Sequence, residues 1–332
     1  MNPAGGAAMR DVRTTCPYCG VGCGVIATTD GVTVQAVRGD PEHPANSGRL
    51  CSKGSTLHQT ARGGGRLLHP MVRCSRDAPR EAVGWEQAMA LATGRFAQIV
   101  REHGPDAVAF YGSGQLLTED YYVLNKLARV AVGTNNLDTN SRLCMSSAVA
   151  GYKATLGADS VPACYEDIDQ ADLLFVAGSN TAYAHPIVMR RIEAARSARP
   201  GQRMIVVDPR RTVTAQAADL HLAILPGTDV ALFHAMLHWL IWEEKIAADW
   251  IGAHTDGFDA LRGVVRETSP RAMARVCGVR EEDIVTAARW WSEAGSVLSL
   301  YCQGLNQSSS GTEKNAALIG LHLATAQIGR PE

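Results

Sequence analysis

The stretch Cys16-Pro17-Tyr18-Cys19-Gly20-Val21-Gly22-Cys23-Gly24 places three cysteines within eight residues, and a fourth, Cys51, follows with the spacing C-x2-C-x3-C-x27-C. Three thiolates on a backbone rich in glycine can surround one inorganic centre, and a fourth arriving from a distant loop can close it. Each iron of a [4Fe-4S] cluster takes one thiolate. The spacing therefore predicts a [4Fe-4S] cluster held by these four cysteines, and electron transfer as part of the function.

Two other uses of the four cysteines remain open at this point. A structural zinc ion also takes four thiolates, but such sites usually pair two C-x2-C knuckles, whereas Cys51 stands alone. Disulfides are disfavoured because residues 1–13 contain neither an apolar signal segment nor a twin-arginine pair. We therefore expect a reducing, cytoplasmic setting, in which thiols bind metals rather than each other.

The composition excludes several classes of function. The 332 residues carry a net charge of −1, with 46% hydrophobic and 20% charged residues, which is ordinary for a globular protein of two or three domains. No Lys/Arg run supports nucleic-acid binding. No apolar stretch approaches the roughly 20 residues that span a bilayer. We therefore expect neither a nucleic-acid partner nor a membrane partner.

The chain divides into two regions that differ in their predicted secondary structure. Residues 25–28 and 32–37 predict a β-hairpin around the Asp30-Gly31 turn. A polar loop at 40–47 leads the chain back to Cys51. The glycines at 63–65 and Pro70 mark a boundary. We predict a β-rich [4Fe-4S] lobe over residues 1–70 and a separate α/β region over residues 71–332.

Helices and strands alternate in the second region. The spacing of apolar residues predicts a helix over 85–103 that stops at Gly104-Pro105. Strands are predicted at 108–111, 172–177 and 204–208, and Thr118 is expected to cap a further helix. This alternation predicts a doubly wound α/β fold.

Polar or glycine-rich loops follow three of the predicted strands, at 112–115, 178–181 and 208–212. We expect the three loops to share one sheet edge, where ligands of open α/β sheets bind. Either a nucleotide-bearing ligand or plain tight turns would account for them. Asp229 is expected to cap a helix at 230–242, or to accept the N–H groups of a guanine.

Longer segments resemble the molybdopterin oxidoreductases that carry a bis(guanine dinucleotide) cofactor and an N-terminal [4Fe-4S] lobe. Residues 37–46 (VRGDPEHPAN) and 48–54 (GRLCSKG) look like the link between the third and fourth cluster ligands. Residues 139–147 (TNSRLCMSS) look like the segment that supplies the molybdenum ligand. The resemblance covers residues 16–331, and it implies that Cys144 binds molybdenum.

One residue helps to choose within that family. Formate dehydrogenases of this type follow the metal-binding residue with histidine, whereas Met145 follows Cys144 here, as in the nitrate reductases. Residues 112–122 and 144–153 look most like the bacterial assimilatory nitrate reductases. The resemblance thus implies oxygen-atom transfer that reduces nitrate to nitrite at a molybdenum bis(molybdopterin guanine dinucleotide) centre fed by the cluster.

The resemblance implies that Lys53 lies on the electron route between cluster and pterin. A cation near the metal would help to hold an anionic substrate, and we expect Arg142, two residues before Cys144, to have that role. The remaining residues expected to bind the cofactor are Gln115, Asn140, Gly178, Ser179, Asn180, Asp208, Thr228, Asp229, Gln303, Gly304 and Gln307.

The electron donor implied is a protein: a flavoprotein subunit, ferredoxin or flavodoxin. Two alternatives stay open. The first is a cytoplasmic formate dehydrogenase of the same fold. The second is a truncated, non-catalytic iron-sulfur fragment, since members of the family extend several hundred residues beyond the segment at 328–332.

Overall fold

The computed structural model describes residues 8–61, 65 and 67–329. Two of the predicted boundary glycines, Gly63 and Gly64, lie outside these residues, so the predicted division at residue 70 stays a prediction. The described chain forms two compact units. The first contains residues up to Tyr18 together with Cys23–Leu143, and the second contains Cys19–Gly22 together with the residues from Cys144 onward. None of the described helices has the length and apolar character needed to cross a membrane.

The first unit contains mainly short strands and three helices. In chain order they are β1 (Arg10–Thr15), β2 (Gly24–Thr29), β3 (Val34–Gly39), α1 (Ser52–Ser55), β4 (Met71–Val72), β5 (Glu81–Ala82), α2 (Trp85–His103), β6 (Phe110–Gly112), α3 (Thr118–Lys126) and β7 (Leu137–Thr139). A π-helical turn, Leu127–Val132, follows α3. Helix α4 (Asn140–Leu156) begins in this unit, and its residues from Cys144 onward belong to the second.

A three-stranded antiparallel sheet in the order β1-β2-β3 forms the cysteine-bearing lobe. The hairpin between β2 and β3 confirms the prediction. Its turn is one step longer than expected, because the Asp30 carboxylate accepts hydrogen bonds from the amides of Val32 and Thr33 and delays β3 until Val34. Strand β1 was not predicted. All six of its residues are exposed, so the sequence lacks the alternation of apolar and polar residues that would have predicted this strand.

The polar loop after β3 is fastened to the start of β2 by one side chain. Buried Asn46 accepts a hydrogen bond from the Gly24 amide at 2.8 Å and donates to the carbonyls of Gly24 and Arg49 at 3.0 and 2.8 Å. At Gly39 the loop approaches so closely that a β-carbon would lie 2.1 Å from the Gly48 carbonyl oxygen. The loop is therefore a fixed structure that delivers the chain to Cys51.

Helix α2 spans the predicted residues, Trp85–His103, and stops where Gly104 takes a φ of +83°. Its apolar side chains, however, are not buried: Trp85 is 69% exposed and Phe96 44%. Helix α3 also forms as predicted, but Thr118 is its first residue and not its cap. The cap position is Leu117, whose amide donates to the Asp120 carboxylate at 3.2 Å.

The second unit alternates helices with the strands of one sheet. After α4 they are α5 (Asp167–Gln170), β8 (Leu173–Ala177), α6 (Thr181–Ala184), α7 (Pro186–Ala198), β9 (Arg203–Val207), α8 (Val213–Gln216), β10 (Leu220–Leu222), α9 (Asp229–Trp242), α10 (Ala248–His254), α11 (Phe258–Val264), α12 (Pro270–Cys277), α13 (Glu281–Glu293), β11 (Val297–Tyr301), α14 (Gln303–Asn306) and α15 (Gly311–Ala324).

The four strands are all parallel, in the order β10-β9-β8-β11, and β8 and β9 are buried almost completely. Alternate residues of β8 point to opposite faces. Phe175 packs in a core with α9, α13 and α15, edge-on to Phe233 and Trp291. Val176 packs on the other face with Ile192 of α7. Helices thus cover both faces of the sheet, and the predicted doubly wound α/β fold is confirmed.

One topological expectation was wrong. The loops at 112–115, 178–181 and 208–212 do not share a sheet edge, because β6 pairs with β7 in a separate two-stranded parallel sheet of the first unit. Only the loops after β8 and β9 are neighbours. The apolar run at 108–111 shows that a strand exists, but it does not show which strand pairs with it.

Candidate functional site

The first unit places two of the four motif cysteines opposite each other. Cys16 follows Thr15, the last residue of β1, and Cys23 precedes Gly24, the first residue of β2, and these two strand residues are register partners. The Cys16 amide donates to the Cys23 carbonyl at 2.9 Å, and both cysteines are buried. The pairing of β1 with β2 therefore brings the two ends of the motif loop together.

The loop fastened by Asn46 leads to the third cysteine of this unit. Cys51 is half-buried at the N-terminal end of α1, and Lys53, in that helix, is exposed. Cys19 groups with the second unit. Within the described residues, no set of three or more His, Cys, Asp or Glu side chains is arranged to hold a metal ion. Ligation by these four cysteines therefore remains a prediction.

A second group of predicted residues meets at the carboxyl ends of β6 and β7. The Asn140 side-chain oxygen accepts a hydrogen bond from the Gly114 amide at 2.5 Å. The side-chain amide of Gln115 donates to the backbone carbonyl of Tyr18, within the cysteine motif, at 3.2 Å. Gln115 and Asn140 therefore share one polar edge of the first unit.

Arg142 is engaged by a carboxylate in the structure. Its Nε lies 3.1 Å from Asp138, one helical turn earlier, and both side chains are largely exposed. The backbone amide of Thr139 and then Arg142 hold the pKa of Asp138 below its ordinary value. Any anion bound by Arg142 would compete with this carboxylate.

The second unit gathers most of the predicted cofactor residues at one edge of its sheet. Because all four strands are parallel, their carboxyl ends lie on the same side. The predicted residues follow these ends: Gly178, Ser179 and Asn180 after β8, Asp208 after β9, Thr228 and Asp229 after β10, and Gln303, Gly304 and Gln307 after β11.

Two glycines allow neighbouring loops of this edge to touch. Gly178, with φ +57°, donates to the Val207 carbonyl, and its own carbonyl accepts from the Gly304 amide at 3.0 Å. A β-carbon on Gly304 would lie 2.5 Å from the Gly178 α-carbon, and one on Gly178 would lie 2.8 Å from the Gly304 α-carbon. Only glycine fits at either position, so the loops after β8 and β11 form one continuous backbone surface.

Cys144 lies beside the loop that follows β11. The side-chain amide of Gln307 is 3.3 Å from the Cys144 sulfur, and that of Gln303 is 4.0 Å away. The sulfur of the next residue, Met145, accepts a hydrogen bond from the side-chain amide of Asn306 at 3.6 Å. Two neutral donors thus converge on a partly exposed sulfur, as suits a thiolate that accepts a soft metal.

Cys302 lies in the same region with a different character. Burial raises the pKa of the Cys302 thiol, and the nearby Cys144 sulfur adds to the increase. Cys302 therefore stays protonated at neutral pH. All nine cysteines fall within the described residues, and none of them forms a disulfide.

Two buried carboxylates complete the edge. Asp208 accepts a hydrogen bond from the Arg210 amide at 2.8 Å, which closes a tight turn after β9. Asp229 does not cap α9 as expected. It is the first residue of that helix, Thr228 occupies the cap position, and the Asp229 carboxylate lies 2.7 Å from the ammonium group of Lys314.

Lys314 was missed in the sequence. A lysine is usually exposed, but this one is only 4% exposed. The signal was present: Lys314 stands four and seven residues before Leu318 and Leu321, on the face of α15 that enters the core.

The residues present at this edge fit a molybdopterin nucleotide. The contact between Gly178 and Gly304 leaves bare backbone where a flat group and its phosphates could approach. The edge also offers a sulfur for a soft metal, and carboxylate, amide and hydroxyl groups for polar rings and ribose.

Comparison with known proteins agrees with this chemistry. Residues 66–332 match the molybdopterin oxidoreductase family, and residues 9–63 match the molybdopterin oxidoreductase Fe4S4 domain. The predictions of a [4Fe-4S] cluster and a molybdopterin cofactor are confirmed by these matches.

Relatives of several kinds share most of the chain. A nitrate reductase of Klebsiella oxytoca is 48% identical over 97% of this chain and 36% of its own length. A periplasmic nitrate reductase of Desulfovibrio desulfuricans is 42% identical over 96% of this chain and 43% of its own. The F420-dependent formate dehydrogenase subunit alpha of Methanocaldococcus jannaschii is 35% identical, over 96% and 46%. The chain thus spans less than half the length of these relatives.

The fold is shared with a solved structure. Acetylene hydratase from Pelobacter acetylenicus superposes with a TM-score of 0.82 at 20% identity, over 95% of this chain and 43% of that one. At this identity the likeness concerns the fold alone. The two family matches together cover nearly the whole sequence, and on that ground the chain belongs to the molybdopterin oxidoreductases, with that family's Fe4S4 domain at residues 9–63.

Proposed function

We propose that this chain carries the cluster lobe and part of the molybdopterin-binding region of an assimilatory-type nitrate reductase. The reaction is NO₃⁻ + 2 e⁻ + 2 H⁺ → NO₂⁻ + H₂O. The observation that carries the proposal is the convergence of Gln303 and Gln307 on the Cys144 sulfur, with Met145 rather than histidine as the next residue. The 48% identity to a nitrate reductase over almost the whole chain supports the choice of substrate.

Different residues of the second unit bind different parts of a bis(molybdopterin guanine dinucleotide) cofactor in this proposal. When bound, this group would supply the metal that takes the oxygen atom from nitrate and gives up two electrons, which the cluster then restores. Cys144 ligates the metal, and the Gln303 and Gln307 amides orient that sulfur. Gly178, Ser179 and Asn180 hold phosphate, while the buried carboxylates Asp208 and Asp229, with Thr228, bind ribose and guanine donors. Gly304 supports the dithiolene region together with Gln303 and Gln307.

The residues in and around the cysteine motif deliver electrons. Cys16, Cys19, Cys23 and Cys51 hold the [4Fe-4S] cluster, and Lys53 lies on the electron route from it. Gln115 and Asn140 contact the pterin near the metal. The electron donor is a flavoprotein subunit, a ferredoxin or a flavodoxin.

Arg142 binds the nitrate anion in this proposal. In the structure its guanidinium pairs with Asp138, and exposed pairs of this kind are weak because solvent screens the two charges. Exchange of the carboxylate for a substrate anion therefore costs little. Arg142→Gln is expected to raise the KM for nitrate more than it lowers kcat.

We place the protein in the cytoplasm, because nine cysteines without a disulfide suit a reducing compartment. Cell fractionation with a cytoplasmic and a periplasmic marker enzyme tests this placement. Recovery with the periplasmic marker would refute it.

The substrate is tested with reduced viologen and nitrate, beside a formate-oxidation assay with oxidised viologen. We expect nitrite from nitrate and no oxidation of formate. Formate dehydrogenase is the second candidate, because a relative with that name is 35% identical over 96% of the chain. Activity on formate alone would establish this second candidate. Cys144→Ser should abolish turnover and release molybdenum, whereas Cys74→Ser, at an exposed position outside both motifs, should change neither.

A further inference from the structure

Lys314 forms a buried ion pair at the ligand edge of the sheet. Its ammonium group lies 2.7 Å from the Asp229 carboxylate, and the two side chains are 5% and 10% exposed. A buried charge is costly unless it is paired, so each of these two groups requires the other. The pair joins the first turn of α15 to the first residue of α9.

The same ammonium group has a second partner. It donates to the Gly304 carbonyl at 3.3 Å, and the Gly304 amide donates in turn to the Gly178 carbonyl. Lys314 therefore contacts the loop after β10 directly and the loop after β11 directly, and it is one hydrogen bond away from the loop after β8.

The adjacent residue extends this arrangement toward Cys144. The side-chain amide of Asn315 donates to the side-chain oxygen of Asn306 at 3.1 Å. The side-chain amide of Asn306 in turn lies 3.6 Å from the Met145 sulfur. Both Asn306 and Asn315 are buried. Two adjacent polar residues of α15 thus have different contacts. Lys314 holds the Asp229 carboxylate, and Asn315 holds Asn306, which contacts the residue next to Cys144.

Stability alone does not account for this pair. Buried ion pairs are often no more stabilising than apolar side chains of similar volume, because desolvation offsets their attraction. Here the pair lies where the loops of the ligand edge meet, and the buried positions of α15 after Asn315 carry no polar side chain.

We propose that Lys314 is a positioning residue for the nucleotide-bearing cofactor, because it holds the Asp229 carboxylate and the Gly304 carbonyl in one arrangement. This inference rests on the proposed function. With one carboxylate oxygen held by the ammonium group, the other is oriented to accept the N1–H and N2–H donors of a guanine. The Gly304 contact fixes the turn that presents Gln303 and Gln307 to Cys144.

The test compares variants of the full chain produced in a host that makes molybdopterin guanine dinucleotide. Bound GMP is released by acid and quantified per chain, and the EPR spectrum of Mo(V) reports on the metal end. Lys314→Met should retain about 10- to 100-fold less GMP, the range found when a partner that orients a ligating group is removed. It should also shift the Mo(V) spectrum. Lys245→Met is the matched control, because Lys245 is exposed in the same unit, and it should behave as wild type.

Two further variants separate positioning from folding. Lys314→Arg keeps the charge and should restore most of the GMP. The double variant Asp229→Asn, Lys314→Met removes both charges; it should melt at a higher temperature than Lys314→Met alone and still lack GMP. Asp229→Asn alone should lose GMP, and its Mo(V) signal should weaken in proportion while keeping the g-values of the wild type.

The outcomes distinguish the two proposals. Wild-type protein without GMP or molybdenum would overturn the proposed function. Wild-type protein that contains both, beside a Lys314→Met variant with normal GMP and a normal Mo(V) spectrum, would overturn the role of Lys314 alone. If Lys314→Met does not fold, full GMP in the double variant overturns that role, and a Mo(V) spectrum that is shifted in the double variant but not in Asp229→Asn supports it. A Lys314→Arg variant as empty as Lys314→Met also overturns it.

Discussion

Replacing Gly178 with alanine should destabilise the second unit by forcing apart two backbones. The new β-carbon would lie 2.8 Å from the Gly304 α-carbon and 2.9 Å from its carbonyl carbon, and backbone atoms cannot rotate away as a flexible side chain can. Overpacking of this kind costs about 1–3 kcal/mol. The φ of +57° at Gly178 adds about 1–2 kcal/mol for any residue with a β-carbon. The free energy of unfolding should therefore fall by about 2–5 kcal/mol.

Thermal unfolding followed by circular dichroism measures this loss. For a unit of this size each kcal/mol lowers Tm by about 2–4 °C, so Gly178→Ala should lower it by roughly 10 °C. Gly227→Ala is the control. Gly227 also has a positive φ, +89°, but a β-carbon there meets nothing within 4 Å, so only the backbone strain is added. Gly304→Ala lacks the strain and adds only the clash. Equal losses for Gly178→Ala and Gly227→Ala would refute the argument from close approach.

Three other predictions concern different parts of the chain. Burial lowers the pKa of His322 to about 4, below its ordinary 6.5. Folding thus favours the neutral form, and stability that is complete above about pH 6.5 should fall by about 3 kcal/mol as the pH drops toward 4. Urea unfolding at several pH values measures this slope, and His322→Gln should flatten it. Trp291→Ala should cost about 3–5 kcal/mol in thermal melts, because that side chain is fully buried, whereas Tyr183→Ala, at an 81% exposed position, should change stability by less than about 0.5 kcal/mol. Cys51→Ser should lower bound iron and acid-labile sulfide and Cys74→Ser should not; equal iron in both variants would contradict the assignment of Cys51.

Local signals predicted the elements that local interactions determine. The helix at Trp85–His103 was predicted at both ends because Gly104 and Pro105 cannot continue it. The β2–β3 hairpin was predicted because Asp30-Gly31 suits a tight turn. Neither prediction required knowledge of a distant residue.

Interactions between distant residues account for the failures. β6 pairs with β7 and not with β8, and an apolar run of four residues does not indicate which other strand it will pair with. Asp229 was predicted as a helix cap because capping needs only the following three amides, but its carboxylate is bound to a lysine 85 positions later. Convergence of Gln307 on Cys144 spans 163 positions and was reached only through the resemblance to a family.

The parallel sheet of the second unit also sets the order in which the ligand edge can be assembled during synthesis. β11 pairs with β8, and Gln307 follows Cys144 by 163 positions. Ribosomes add about 5–20 residues per second, so some 8–33 s pass between the emergence of Cys144 and that of Gln307. During this interval the edge lacks its last strand, and a cofactor would find only part of its binding surface. Loading is therefore expected only after residue 307 has been made.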